Sequence, residues 1–238
     1  MGQIFTGETF LRSLAVYNGK LYAGGAYSGG KVAVYDGGSW TVSGPIAGMV
    51  DGVGINALAV YNGNLYAGLG GNGHMVASYN GTSWTDMGDM NEPAGSQIDS
   101  LAVYNGKLYA GITAGGGTIG KWAVYDGVNW TVMGQIIANA MAVPALAVYN
   151  GKLYAGLATG AGAKVAVYDG ASWTDTGAVM AVQARVTSLA VYNGKLFASG
   201  DNGMVFESDG DDWNENNAIA GSAGALTSYN GKLYAGTQ

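Results

Sequence analysis

Few residues in this chain could do chemistry. Among 238 residues there is one histidine and no cysteine. His74 stands in a glycine-rich stretch beside Asn72 and Gly73. Acid–base and nucleophilic mechanisms need a base within hydrogen-bond reach of a partner, and the sequence offers His74 none. Without cysteine there is neither a disulfide framework nor a thiolate metal site. The acids are unevenly placed: Asp201, Glu207, Asp209, Asp211, Asp212 and Glu215 crowd one stretch. Asp209-Gly210-Asp211-Asp212 gathers hard oxygens that suit calcium, but its glycine and its distal glutamate do not fit the EF-hand loop. It reads as a solvated turn, with Asp209, Asp211 and Asp212 a weak metal candidate. Glycoside hydrolysis needs paired carboxylates across a cleft, and no unit apart from the fifth shows them in its variable loops. The expectation is a protein that is not an enzyme and carries no cofactor.

The totals narrow the partners. The net charge is −6, with no basic stripe to neutralise nucleic-acid phosphates. No apolar run approaches the ~18 residues of a membrane span. Met1-Gly2-Gln3-Ile4-Phe5 lacks the charged and apolar regions of a secretory signal. An extracellular or virion surface is the expected setting.

What must position any site is a repeat. Leu-Ala-Val-Tyr-Asn-Gly-Lys-Leu-Tyr-Ala-Gly stands nearly intact from Leu14, Leu58, Leu101 and Leu146, and returns changed from Leu189 and Leu226. The intervals, 37 to 45 residues, suit four-stranded propeller blades, whose period is roughly 40–50. Within each unit Asn-Gly separates two β-prone runs, the pattern of a type I′ hairpin. That turn places Tyr17 opposite Lys20, Val16 opposite Leu21 and Ala15 opposite Tyr22. A second hairpin follows, Val32–Tyr35, Asp36-Gly37-Gly38-Ser39, then Trp40. Its tryptophan returns as Trp84, Trp130, Trp173 and Trp213. The strands are called a to d. The short a–b and c–d turns belong at one end. The variable b–c loops (Gly25–Gly30, Leu69–His74, Ile112–Gly120 and Leu157–Ala163) and the d–a connections belong at the other, where repeat proteins place binding surfaces.

The expected fold is all-β, a β-propeller of four-stranded antiparallel blades in one domain. The repeats run approximately 11–54, 55–97, 98–142, 143–185 and 186–224, with a partial unit 225–238 closing with 1–10. Met1-Gly2-Gln3-Ile4 repeats Met133-Gly134-Gln135-Ile136, so residues 1–10 supply a d-like strand to a sixth, incomplete blade. Five blades plus an extra hairpin is the alternative. The strand–Asn-Gly–strand and Asp-Gly-x-x-Trp pattern resembles bacterial kelch-like and lectin-like β-propellers. Tyr35-Asp36-Gly37-Gly38-Ser39-Trp40-Thr41 is similar to the hairpin of small fucose-binding propeller lectins. Those lectins hold sugar with an arginine, a glutamate and a tryptophan. Arg12 and Arg185 do not recur in each repeat, so that site is not implied.

The functional expectation is a binding or adhesion module facing a glycan or protein surface through repeated loops or grooves between blades. The alternative is a structural subunit, a homo-oligomer or assembly component docking through the incomplete blade. The candidate ligand residues are Tyr27, Asn72, His74, Thr113, Thr159, Asp201 and Asn202. The strand tyrosines and tryptophans read as packing. Lys20, Lys107, Lys152, Lys195 and Lys232, with Asn64 in the second unit, share one slot beside the a–b turn and read as solubilising charges. Glu207 holds a strand slot that is Val34 in the first unit, so it needs a partner unless the outer strands of the fifth blade are exposed.

Overall fold

The computed structural model of the protein describes residues 11–26, 29–43, 45–46, 53–70, 76–88, 90–117, 119–180, 185–218 and 223–237. All the regular structure is β. The first blade comprises β1 (Leu11–Tyr17), β2 (Lys20–Gly25), β3 (Val32–Tyr35) and β4 (Trp40–Val42), and the second β5 (Gly54–Tyr61), β6 (Asn64–Gly70), β7 (Val76–Tyr79) and β8 (Trp84–Asp86). The third holds β9 (Gln97–Tyr104), β10 (Lys107–Thr113), β11 (Gly120–Tyr125) and β12 (Trp130–Gln135). The fourth holds β13 (Ala140–Tyr149), β14 (Lys152–Thr159), β15 (Gly162–Tyr168) and β16 (Trp173–Met180), and the fifth β17 (Val186–Tyr192), β18 (Lys195–Gly200), β19 (Met204–Ser208) and β20 (Trp213–Ala218). A final hairpin, β21 (Ala223–Tyr229) and β22 (Lys232–Thr237), forms a two-stranded sheet. Each blade is an antiparallel meander, and one pairing, Gly70 with Gln97, joins the second and third blades into a single sheet. The fold is a β-propeller with five four-stranded blades and a sixth two-stranded unit among the described residues.

The hairpin register follows from the turn. Tyr17 pairs with Lys20, Val16 with Leu21, Ala15 with Tyr22 and Leu14 with Ala23. Type I′ geometry needs positive φ at both central residues, and Asn18 and Gly19 have φ of 47° and 74°. The Asn-Gly pairs at 62–63, 105–106, 150–151, 193–194 and 230–231 do the same. A bulge recurs early in the a strand, between Leu11 and Ser13, Ile55 and Ala57, and Val186 and Ser188. It opens each hairpin where the next blade approaches.

By contact the chain divides into two compact units. One comprises Met1–Ala110, Ala114–Gly116 and Ala123–Val132; the other comprises Gly111–Thr113, Gly117–Trp122 and Met133–Gln238. In the first unit, Tyr17, Tyr22, Val32, Ile46, Val53, Ile55, Leu65 and Leu69 form a core between the first two blades. In the second, Tyr149, Tyr154, Val165, Met180, Val186 and Leu196 do the same between the fourth and fifth. The tyrosine before the Asn-Gly turn ties neighbouring blades together in the first, second, fourth and fifth blades. Tyr17 Oη donates to Gly63 O at 3.0 Å, Tyr61 Oη to Gly106 O at 2.9 Å, and Tyr149 Oη to Gly194 O at 2.6 Å. The blades approach so closely that Gly24, Gly68 and Gly156, which end the repeated phrase in their units, have no room for a side chain. A Cβ on Gly24 would lie 2.5 Å from Ile55 Cγ2, and one on Gly156 would lie 2.5 Å from Val186 Cγ1.

One placement differs from expectation. Strands b run on into the segments read as b–c loops, so Leu69, Ile112, Thr113, Leu157 and Thr159 are strand residues. In the fourth blade only Gly160 and Ala161 remain between β14 and β15. The reason is that Leu69, Ile112 and Leu157 are wholly buried, so the core holds the chain extended past the glycine. The expected d-like strand in residues 1–10 lies outside the described residues.

Candidate functional site

The c–d turns show where the acids go. Asp36 Oδ1 accepts from the N–H groups of Gly38 and Ser39 at 2.9 and 3.0 Å. Asp126 and Asp169 hold their turns in the same way. These backbone donors lower the carboxyl pKa of all three, with Lys20, Lys107 and Lys152 adding a smaller pull in the same direction. Each of those lysines therefore stands beside the turn aspartate of its own blade. The second blade departs from this arrangement. There Asn80 Oδ1 makes the same two bonds, to Thr82 N and Ser83 N at 2.9 and 3.0 Å. Asn64 stands in the lysine slot and bonds Tyr66. Both members of the charge pair are replaced by neutral amides.

The sequence-derived candidates fall as follows. Tyr27, Asn72 and His74 lie outside the described residues. Thr113 and Thr159 are buried at the ends of β10 and β14, and Thr159 Oγ1 donates to Gly162 O at 2.7 Å. Asp201 and Asn202 come together in the b–c turn of the fifth blade. Asp201 accepts from Arg185 N at 3.1 Å and pairs with its Nε at 3.3 Å. Asn202 Oδ1 accepts from Met204 N at 3.1 Å. Asp209, Asp211 and Asp212 occupy the fifth c–d turn, and no group of three or more potential metal ligands occurs among the described residues. Glu207 has its partners: Lys195 Nζ at 2.6 Å and Asn216 Nδ2 at 2.6 Å. The Lys195 bond is the largest influence holding its carboxyl below the ordinary glutamate range.

The open site is elsewhere. Between the first and second blades a groove of about 360 Å³ is lined by Tyr22, Val34, Ser43, Pro45, Tyr79, Thr82, Ser83 and Trp84, with Val32 at its base. Tyr22 is nearly buried, whereas Tyr79 and Trp84 are half-exposed. The rings of Tyr79 and Trp84 lie 5.1 Å apart with a tilt of 30°, and Tyr22 is 6.2 Å from Tyr79. Tyr79 Oη donates to Gly81 O at 2.9 Å, which fixes the ring against its own turn. Burial, then the neighbouring Tyr79 and Tyr17, raise the Tyr22 pKa, so it remains a neutral donor well above neutral pH. The groove is thus an aromatic wall with hydroxyls on its rim and, among the described residues, no charged lining residue. Sequence reading missed it because it joins residues of two blades that are distant in sequence, such as Val34 and Tyr79. The available signal was the second unit's double departure, Asn64 and Asn80. A second, more open depression of about 340 Å³ is lined by Asn139, Met141, Gly160 and Ala161.

Residues 125–238 match the DUF6242 β-propeller domain family. No curated protein matches the chain. Among solved structures it is similar to the extracellular domain of the two component system BT4673 of B. thetaiotaomicron, with a TM-score of 0.72 and 17% identity over 99% of this chain and 33% of that one. It is also similar to PorZ, a bacterial surface component of the type-IX secretion system of Porphyromonas gingivalis, with a TM-score of 0.68 and 14% identity over 100% of this chain and 39% of that one. YjhT gives a TM-score of 0.66 and 15% identity over 97% of this chain and 92% of that one. The chain therefore spans about a third of the length of the BT4673 domain. At these identities the likeness concerns the propeller fold. Among the described residues no helix is long and apolar enough to cross a membrane.

Proposed function

We propose that the chain is a non-enzymatic binding and adhesion propeller, presenting a groove between blades to a carbohydrate or protein surface. The observation that carries this reading is the aromatic groove over Tyr22, Tyr79 and Trp84, whose described lining residues carry no charge. The internal engagement of the turn carboxylates supports a non-catalytic role, since Asp36, Asp126 and Asp169 hold turn N–H groups. An extracellular setting is supported by the BT4673 extracellular domain and the PorZ surface component as neighbours. Weak sites repeated on one molecule gain avidity by about 10²–10⁴ where geometry allows. The test is to probe glycan and protein arrays with the whole chain. Saturable binding is expected, and it is expected to fall when Thr82→Arg obstructs the groove. An absence of binding to either surface rejects the reading.

A second reading, assembly through the incomplete blade, is favoured by one observation. Tyr229 and Tyr234 are 65% and 47% exposed, whereas their counterparts Tyr17 and Tyr22 are 3% and 7% exposed. A hairpin that bares the two tyrosines the first four blades bury is suited to packing on a further surface. Sedimentation across a concentration series is expected to show association that the double variant Tyr229→Ser, Tyr234→Ser abolishes. A strictly monomeric chain rejects self-assembly.

A further inference from the structure

We infer that the groove between the first and second blades takes a neutral pyranose. The apolar face of the sugar ring lies against Tyr79 and Trp84, and its hydroxyls meet Thr82 and Ser83. The inference rests on the binding-propeller reading and narrows it to one place and one class of ligand. Three independent observations point the same way. The first is the lining. An aromatic wall accepts the C–H face of a sugar ring, and polar rim groups fix its orientation. A volume of about 360 Å³ accommodates one ring with room for a linked neighbour.

The second observation is charge. Lysine stands beside the turn aspartate in the first, third and fourth blades. The blade that supplies Tyr79, Thr82, Ser83 and Trp84 to the groove has Asn64 and Asn80 in those two slots. Among the described lining residues an anionic ligand finds no cation, and a cationic one finds no carboxylate. Desolvating an unpaired charge there is costly, so a neutral ligand is selected.

The third is preorganisation. The backbone N–H groups of Thr82 and Ser83 are fixed by Asn80 Oδ1. Their hydroxyls have no hydrogen-bond partner among the described residues. Two held positions thus present to the groove hydroxyls that no described residue engages. Thr82 has no hydroxyl counterpart in the other c–d turns, where Gly38, Val128, Ala171 and Asp211 stand. A wholly apolar peptide segment would leave these hydroxyls unused; a sugar uses both the wall and the rim.

The test is an NMR titration of the isotope-labelled whole chain with glucose, galactose, mannose and N-acetylglucosamine, and with glucuronate as the charged control. A neutral monosaccharide is expected to give saturable shifts at Ser43, Thr82, Ser83 and the Trp84 indole, with a dissociation constant on the order of 1 mM. Glucuronate is expected to bind more weakly. The double variant Thr82→Val, Ser83→Ala is expected to weaken binding about five- to tenfold. It leaves the turn intact, because Asn80 holds backbone groups. Shifts centred on Asn139 and Gly160, tighter binding of glucuronate, a double variant that binds as wild type, or a groove that answers only to aromatic peptides would each overturn the inference. Binding on a glycan array with a silent groove removes this inference and leaves the broader reading standing. Failure of both assays removes both.

Discussion

The glycine that closes each repeated phrase can be tested by a single methyl group. In Gly156→Ala the new Cβ would lie 2.5 Å from Val186 Cγ1, 2.8 Å from Val186 Cβ and 3.2 Å from Ala145 Cβ. Ordinary carbon contacts begin near 3.5 Å, so β14 and β17 must separate by about 1 Å at a site where Val186 is fully buried. Overpacking of this kind costs about 1–3 kcal/mol. The value expected here is about 3, because the obstruction includes a Cβ fixed to a strand rather than a mobile side-chain end. A cost of that size lowers Tm by about 6–12 °C in a chain of this length. Val186→Ala alone removes two methyl groups and costs about 2 kcal/mol. Combined with Gly156→Ala it removes the nearest obstruction but leaves the 2.8 Å approach to Cβ. The double variant is therefore expected to be at least about 1 kcal/mol more stable than additivity gives. Gly236 holds the same place in the phrase but meets nothing nearer than 3.8 Å among the described residues, so Gly236→Ala is expected within about 0.5 kcal/mol of wild type. Urea denaturation of the four variants gives these differences. A Gly156→Ala chain as stable as wild type, or a strictly additive pair, refutes the claim that blade contact is what excludes side chains from this position.

Three further outcomes follow from the turns and ties. Asp36, Asp126 and Asp169 have lowered folded pKa values, chiefly through backbone N–H donors. Their stabilisation is fully present above the unfolded value of about 3.9 and is lost as the pH falls through the folded values. Replacing all three with Asn, the residue already at position 80, is expected to flatten the dependence of urea midpoint on pH below about 4; an unchanged acid limb contradicts the assignment. Tyr17→Phe removes the bond to Gly63 O and is expected to cost about 0.5–1.5 kcal/mol in urea denaturation, near the lower end because Gly63 can bind water instead. Lys195→Met is expected to raise the Glu207 pKa towards the ordinary glutamate value, since the Lys195 bond is the largest influence lowering it; carbon-detected NMR titration of the carboxyl measures this directly.

How much the sequence disclosed depends on the range of the interaction concerned. Asn18-Gly19 determines its hairpin locally, because positive φ at two adjacent residues leaves one turn type and one register, and the pairing of Tyr17 with Lys20 follows. Glu207 was visible as an anomaly in a valine slot, but its partners Lys195 and Asn216 come from the two flanking strands and depend on pairing and rotamer. The ends of the b strands were misplaced because the phrase stops at glycine. Glycine usually signals a turn, yet at Gly24 and Gly156 it marks a close approach by the next blade, and the strand continues. The groove was least legible, because Tyr22 and Trp84 meet only after two blades have packed.

Uniformity and departure in the repeat therefore have different physical causes. Positions constrained on both faces of a blade admit few residue types, as at Tyr17, Tyr22 and Gly24, where hydrogen bond, ring packing and steric exclusion each fix the choice. In the fifth blade the last glycine of the phrase is replaced by Ser199, which is fully buried. The second blade changes in another manner. Exchanging Lys for Asn64 and Asp for Asn80 keeps the turn bonds and the shape while removing both charges. Packing gains nothing from that exchange, because the first, third and fourth blades fold with the charges present. On the proposed reading, an alteration that preserves the turn and neutralises the blade lining an open aromatic groove acts on what the groove admits.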